Sequence, residues 1–357
     1  MAKRGRGMGY EMNEQLLLVL GYVAALFMAF NMGANDAANP TAAAVGAGAV
    51  TLRRALLLFG TGVFVGAVVQ GRMVIKTLGK GVVPEVDVLG ALISVIAAGI
   101  WILTATRLGM PISTSQSITG AVLGIGFAYV FMGRLGLGDL RWNVIVSIVL
   151  SWITSPLTAV FLALVFYLGF AKLFEKLARS SLERAEALFR RILVASLLFA
   201  AYAYGANDVG NATGVFVAVT SRYLGIPSST SLLILSAMGA IGIAIGGIVA
   251  GYRVVQTIAY RITRLDYPMS ASASLASALD VWLFTTIPYV LIGYGMPIST
   301  THASVSAVIG VGIAKHRSLR GVNLKIVALI LLSWLLTLPV ASLISCGLYL
   351  AVVKLVS

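Results

Sequence analysis

Gly33-Ala34-Asn35-Asp36-Ala37-Ala38-Asn39-Pro40 stands in the middle of strongly apolar sequence. An acid and two amides at bilayer depth are costly, the Asp alone by roughly 2.5–3.5 kcal/mol on insertion scales. Such a group persists where a bound ion or a water-filled cavity offsets the cost. A polar knot between neighbouring helices would be the plainer reading of one copy. The group returns, however, as Gly205-Ala206-Asn207-Asp208-Val209-Gly210-Asn211-Ala212, again inside apolar sequence. A costly feature kept twice is one that the chain is built around.

The surrounding composition sets the class. Of 357 residues, 59% are hydrophobic and 11% charged, and the mean hydropathy is +0.97. A soluble protein of this length could not bury that much apolar surface, so the expected fold is all-α, a polytopic helical membrane protein. The net charge of +14 does not point to nucleic acid, because the Lys and Arg sit in short loops between apolar spans. That is the pattern of cytoplasmic loops facing anionic membrane lipid. The single cysteine, Cys346, lies in an apolar run and reads as a small core residue. Residues 1–14 read as a basic, glycine-rich, disordered tail with no cleavable signal peptide. The sequon Asn211-Ala212-Thr213 lies at membrane depth and is discarded.

A second motif is also duplicated. Gly109-Met110-Pro111-Ile112-Ser113-Thr114-Ser115-Gln116 is matched by Gly295-Met296-Pro297-Ile298-Ser299-Thr300-Thr301-His302. Gly and Pro stop an incoming helix, and Ser and Thr cap a new one. Each copy therefore predicts a broken or re-entrant helix that restarts within the membrane, where irregular backbone is tolerated only in protein or beside a cavity. IVLSWITSP (148–156) is likewise matched by ILLSWLLTLP (330–339). Asp208 lies 172 residues after Asp36, Pro297 lies 186 after Pro111, and Trp334 lies 182 after Trp152. These offsets describe a duplication with small insertions. The expected organisation is a first transmembrane repeat over 15–170, a cytoplasmic helical linker over 171–191 and a second repeat over 192–357. A break is expected at Pro156.

Loop charges suggest how the repeats are related. The linker carries Lys172, Lys176, Arg179, Arg184, Arg190 and Arg191, and so belongs to the cytoplasm. The loop 133–140 holds Arg134 and Asp139, whereas its counterpart 315–325 holds Lys315, Arg317, Arg320 and Lys325 with no acid. Matched loops on opposite faces require inverted topology, the plan of many secondary transporters whose site lies where the halves meet. The basic tail would then lie outside, against the charge rule.

The motifs suggest a division of chemistry. Each restarted helix offers free N–H groups and the positive end of its dipole. Hydroxyls surround them: Ser113, Thr114 and Ser115, then Ser299, Thr300 and Thr301, with Gln116 and His302 in matched places. Such neutral donors suit a small oxyanion that must be released again. Asp36 and Asp208 supply negative charge, and Asn35, Asn39, Asn207 and Asn211 supply oxygens, a set suited to a hard cation such as Na+ or to a proton. Hydroxyls bonding back to their own helix remain the plainer reading of any single Ser or Thr.

With both motifs paired, the chain resembles the PiT family of inorganic phosphate transporters along nearly its whole length. The resemblance implies a multi-pass cell-membrane protein that imports inorganic phosphate by symport with Na+ or H+. It also implies an inverted-repeat fold with scaffold and transport parts, often a homodimer. The family's binding residues carry over to Asn35, Asp36, Asn39, Ser113, Thr114, Ser115, Asn207, Asp208, Asn211, Ser299, Thr300 and Thr301. Two departures bear on the coupling ion. Ser115-Gln116 stands where many members have His after the Ser-Thr pair, and 55–70 lacks the acid that many members carry.

The same residues admit rival readings. Sulfate is the rival oxyanion, and an anion channel would need rings of donors along a continuous pore. An enzyme is not expected, because no nucleophile–base pair or metal triad is visible, and no cofactor is expected. Ser228-Ser229-Thr230-Ser231 after Pro227 mimics the broken-helix motif but reads as an ordinary helix start. Arg107 is expected to snorkel to the interface. Asp280, a lone acid in an apolar run, is a second-tier cation or proton candidate; counting back from Pro297 places it opposite Ser94.

Overall fold

The computed structural model describes residues 14–74, 82–84, 86–224, 229–293 and 295–356. The tail up to residue 13, residues 75–81, and residues 225–228 of the helix-start motif lie outside them. Among the described residues there are twelve α-helices, two short 3-10 turns and no strand. They are α1 (Glu14–Asp36), α2 (Ala38–Gly46), α3 (Leu52–Gln70), α4 (Val88–Arg107), α5 (Thr114–Phe131) and α6 (Trp142–Ala178). The second series is α7 (Leu182–Leu224), α8 (Ser229–Ala250), α9 (Tyr252–Tyr260), α10 (Tyr267–Ile292), α11 (Thr300–His316) and α12 (Leu324–Val356). Among the described residues, seven helices are long and apolar enough to cross a membrane. The chain is a multi-pass membrane protein.

Several boundaries differ from the sequence-based expectations for identifiable reasons. At the Asn-Asp groups, α1 pauses only at Ala37, which keeps a helical backbone, and α7 runs through Asn207–Asn211 without interruption. Pro156 does not break α6, which continues for 37 residues. Neighbouring packing holds the turn, and the carbonyl that proline leaves free finds another donor, as described below. The stretch 171–191 is helical, but it is the projecting ends of α6 and α7 joined at 179–181 rather than a separate element. A 37-residue helix is about 55 Å long, longer than the roughly 40–45 Å of a whole bilayer.

The two series pack partly by exchange, with matched contacts in each half. α1 packs on α8 as α7 packs on α3; α5 on α12 as α11 on α6; α4 on α1 as α10 on α7. Close approach needs glycine. A Cβ on Gly33 would overlap the backbone of Ile243, one on Gly246 the backbone of Phe30, and one on Gly66 the backbone of Tyr202. In lipid, where apolar contact alone drives no association, such small-residue seams supply the dispersion contact.

Matched caps mark the ends of the bundle. Asp87 caps α4 through Gly90 N (2.6 Å) and faces Arg134 at 3.6 Å. Asp266 caps α10 through Met269 N (2.9 Å) and faces Lys315 at 2.6 Å. α4 thus starts beside the 133–141 loop, where α6 begins. α10 starts beside Arg190, which bonds Tyr267 at 3.2 Å, and Phe174, which stacks on Tyr267, where α6 ends. The loop 317–323 joins that second end through Asn323 N to Ile262 O at 2.8 Å.

Candidate functional site

The two breaks form as their sequences require. α4 ends at Arg107, Gly109 takes a positive φ of 68° that favours glycine, and α5 restarts with Ser113 as cap, its Oγ accepting from Gln116 N at 3.1 Å. In the second half Ser299 caps α11 by accepting from His302 N at 3.2 Å. The first-turn N–H groups of Thr114, Ser115, Thr300 and Thr301 have no acceptor within their own helices. The capping residues of both breaks, Ser113 and Ser299, are buried.

All four motifs meet in one cluster. Asp36 accepts from Thr114 (2.9 Å) on its own half and from Thr301 (3.2 Å) on the other, and from Asn39 at 3.3 Å. Asp208 accepts from Thr300 at 3.0 Å and Asn211 at 3.5 Å. Asn39 also donates to Thr301 (3.0 Å), and Asn211 to Ser115 (3.2 Å). Ser115 Oγ closes the ring by donating to Ile298 O at 2.7 Å. Every one of these polar residues is at most 3% exposed. The carbonyl oxygens of Asn39, Asn207, Asn211 and Gln116 are buried without a donor. With two carboxylates beside them, they form an oxygen-rich set of the type that hard monovalent cations take. No ion pair joins Asp36 or Asp208 to a basic side chain among the described residues.

The asparagines divide into two roles. Asn35 Nδ2 donates to Thr106 Oγ1 and Met110 O (both 3.0 Å), and its Oδ1 accepts from Ile112 N at 3.2 Å. Both ends of that amide are engaged by the first break. Asn207 pins the second break in the same way, through Thr285 (2.8 Å) and Met296 O (2.9 Å), but keeps its Oδ1 free. Asn39 and Asn211 face the ring itself.

Other supporting residues carried only faint sequence signals. A proline inside a helix frees the carbonyl four residues earlier. Pro156 frees Trp152 O, which lies 3.4 Å from His302 Nδ1, and Pro288 frees Phe284 O, which accepts from Met296 N at 3.1 Å. A carbonyl can only accept, so Nδ1 carries the proton in that contact. His302 also stacks on Trp334, with ring centroids 3.8 Å apart, and Trp334 Nε1 donates to Pro111 O at 3.1 Å. Thr257 of α9 donates to Gly109 O at 2.8 Å, and Arg253 to Arg107 O at 3.1 Å. Arg107 itself is exposed, as expected. The repeated SW at 151–152 and 333–334 was the visible trace of the tryptophans; Thr106 and Thr285 had none. Asp280 lies outside the ring, bonded to Ser155.

Comparison with known proteins gives the same direction. The model of the phosphate transporter family matches residues 32–345. A protein named "putative phosphate permease" from Pyrococcus abyssi is 35% identical over 94% of this chain and 97% of its own length. One of the same name from Pyrococcus horikoshii is 33% identical over 92% and 95%. A solved structure described as the sodium-dependent phosphate transporter superposes with a TM-score of 0.79, at 30% identity, over 96% of this chain and 100% of its own. A buried ring of helix ends, hydroxyls and carboxylates, held by two matched halves, is accordingly found in a chain that belongs to the phosphate transporter family.

Proposed function

We propose that the protein is a secondary active transporter that imports inorganic phosphate by symport with Na+, working by alternating access around the buried ring. The observation that carries this reading is the convergence of both broken helices and both Asn-Asp groups in one hydrogen-bonded cluster. The first-turn N–H groups of α5 and α11, with Ser113, Thr114, Ser115, Ser299, Thr300 and Thr301 around them, are the phosphate donors. Asp36 and Asp208, with the free oxygens of Asn39, Asn207, Asn211 and Gln116, take the cations. His302 orients α11 against α6 and Trp334. Either Asp can also accept the hydroxyl proton of hydrogen phosphate, a contact that sulfate cannot make.

The sodium-dependent description of the similar solved structure supports Na+ over H+ as the driving ion. Inverted topology is supported by two features: α4 and α10 start at opposite ends of α6, and the basic loop 315–325 shares an end with the basic stretch 171–191. In that frame a rocking of one half against the other exposes the same ring to either side. Proteoliposomes test the reading. Phosphate uptake should follow an inward Na+ gradient at constant pH and resist excess sulfate. Uptake that ignores both Na+ and pH gradients, or large uncoupled anion current, would contradict it.

A further inference from the structure

Asp280 is fully buried in α10, outside the ring. Its Oδ2 accepts from Ser155 Oγ at 2.7 Å, and its Oδ1 has no partner. No ion pair reaches it among the described residues.

Its counterpart in the first half can be read from both ends of the helix. Asp266 lies 179 residues after Asp87, and Thr285 lies 179 after Thr106; the first pair caps the helix and the second holds Asn35 and Asn207. Asp280 therefore stands opposite Trp101, not Ser94. The longer offset between the prolines arises after Thr285, where α10 continues to Ile292 while α4 stops at Arg107. Trp101 makes the matching contact: its Nε1 donates to Thr337 Oγ1 at 3.3 Å, and Thr337 lies 182 residues after Ser155, the spacing of Trp152 and Trp334. One half fills the position with a neutral donor. The other places an acid there.

The neighbourhood of Asp280 is polar along one line. Ser270, Ser274 and Ser277 follow each other at helical spacing on α10, each at most 3% exposed. The Oγ atoms of Ser270 and Ser274 have no partner, and the hydroxyl of Tyr204 on α7 lies beside Ser277. The line runs from one turn inside Asp266, at the end of the bundle that holds 171–191, to Asp280. Of the titratable groups on the packed helices, Tyr204 and Asp208 of α7 and His302 of α11 lie level with Asp280, His302 contacting Trp152 rather than Ser155; Arg190 and Lys315 lie at the Asp266 end. α2 has none, and the charges of α6, Lys172, Glu175 and Lys176, lie at the end where α10 starts.

We propose that Asp280, with Ser155 and the serine line of α10, forms a second monovalent-cation site, taking Na+ or H+ once per transport cycle from the side of residues 171–191. This rests on the symport reading above. The test is the phosphate accumulation ratio at zero net flux in proteoliposomes clamped at zero potential, with Na+ and pH gradients imposed separately. Removing one coupled cation lowers that ratio about tenfold for a tenfold cation gradient. Asp280→Asn is expected to show that loss in the Na+ arm if the site takes Na+ and in the pH arm if it takes H+. Wild-type ratios in both arms would overturn the proposal. Should Asp280→Asn not fold, Ser155→Ala decides: losing one oxygen ligand is expected to raise the half-saturating cation concentration about three- to tenfold, and wild-type values overturn the proposal. A wild-type protein that moves no phosphate would sink the symport reading instead.

Discussion

Asp36 binds donors from both halves at once, through Thr114 on one side and Thr301 on the other. Its charge is the reason: replacing a carboxylate by an amide turns one acceptor oxygen into a donor, which then faces hydroxyls already donating. Asp36→Asn and Asp208→Asn should each reduce Na+-driven phosphate uptake to background while the protein still elutes as a single species on size-exclusion chromatography. Uptake above a tenth of wild type in either variant would remove its assigned role. At this scale the sequence was informative because polar groups inside apolar spans are costly and therefore conspicuous. It could not say which hydroxyl meets which carboxylate. Nor could it show that Asn35 spends its whole amide on Met110, Thr106 and Ile112, because those partners lie more than 70 residues away.

Among the elements, the prolines do more than punctuate. The long apolar run from Trp142 was expected to break at Pro156, yet the helix passes through and lends Trp152 O to His302. Pro156→Ala would restore an N–H that competes for this carbonyl. The helix should gain stability while His302 loses a contact of about 1 kcal/mol, so thermal unfolding should shift upward and uptake should fall severalfold. The glycine seams give the opposite outcome. Gly33→Val places a branched side chain against the backbone of Ile243, where overpacking costs at least about 1–3 kcal/mol. Gly169→Val, with nothing near its Cβ position, is the control and should purify like the wild type. Periodicity and Gly-Pro punctuation made the existence of the spans and both breaks readable. It misjudged the register of Asp280, because the extra residues lie after Thr285 inside a helix that simply grows longer.

For the whole molecule, the duplication was legible from three pairs of matching motifs, and the exchange packing of α1 on α8 and α7 on α3 was not, since nothing local encodes which half a helix rests on. The opposite placement of matched ends makes a topological prediction. In a Cys346→Ala background, Gly138→Cys should react with an impermeant thiol reagent from one side of sealed vesicles, and Ser180→Cys and Arg320→Cys from the other. Labelling of all three from one side would break the inverted arrangement. The ring itself is tested most directly by phosphate binding to the purified protein, measured with radiolabelled phosphate while Na+ is titrated against an inert cation at constant pH. Binding should tighten steeply with Na+, and Asp36→Asn or Asp208→Asn should each abolish that dependence. Wild-type phosphate affinity in either variant, or an affinity indifferent to Na+, would contradict a ring that holds phosphate and cation together.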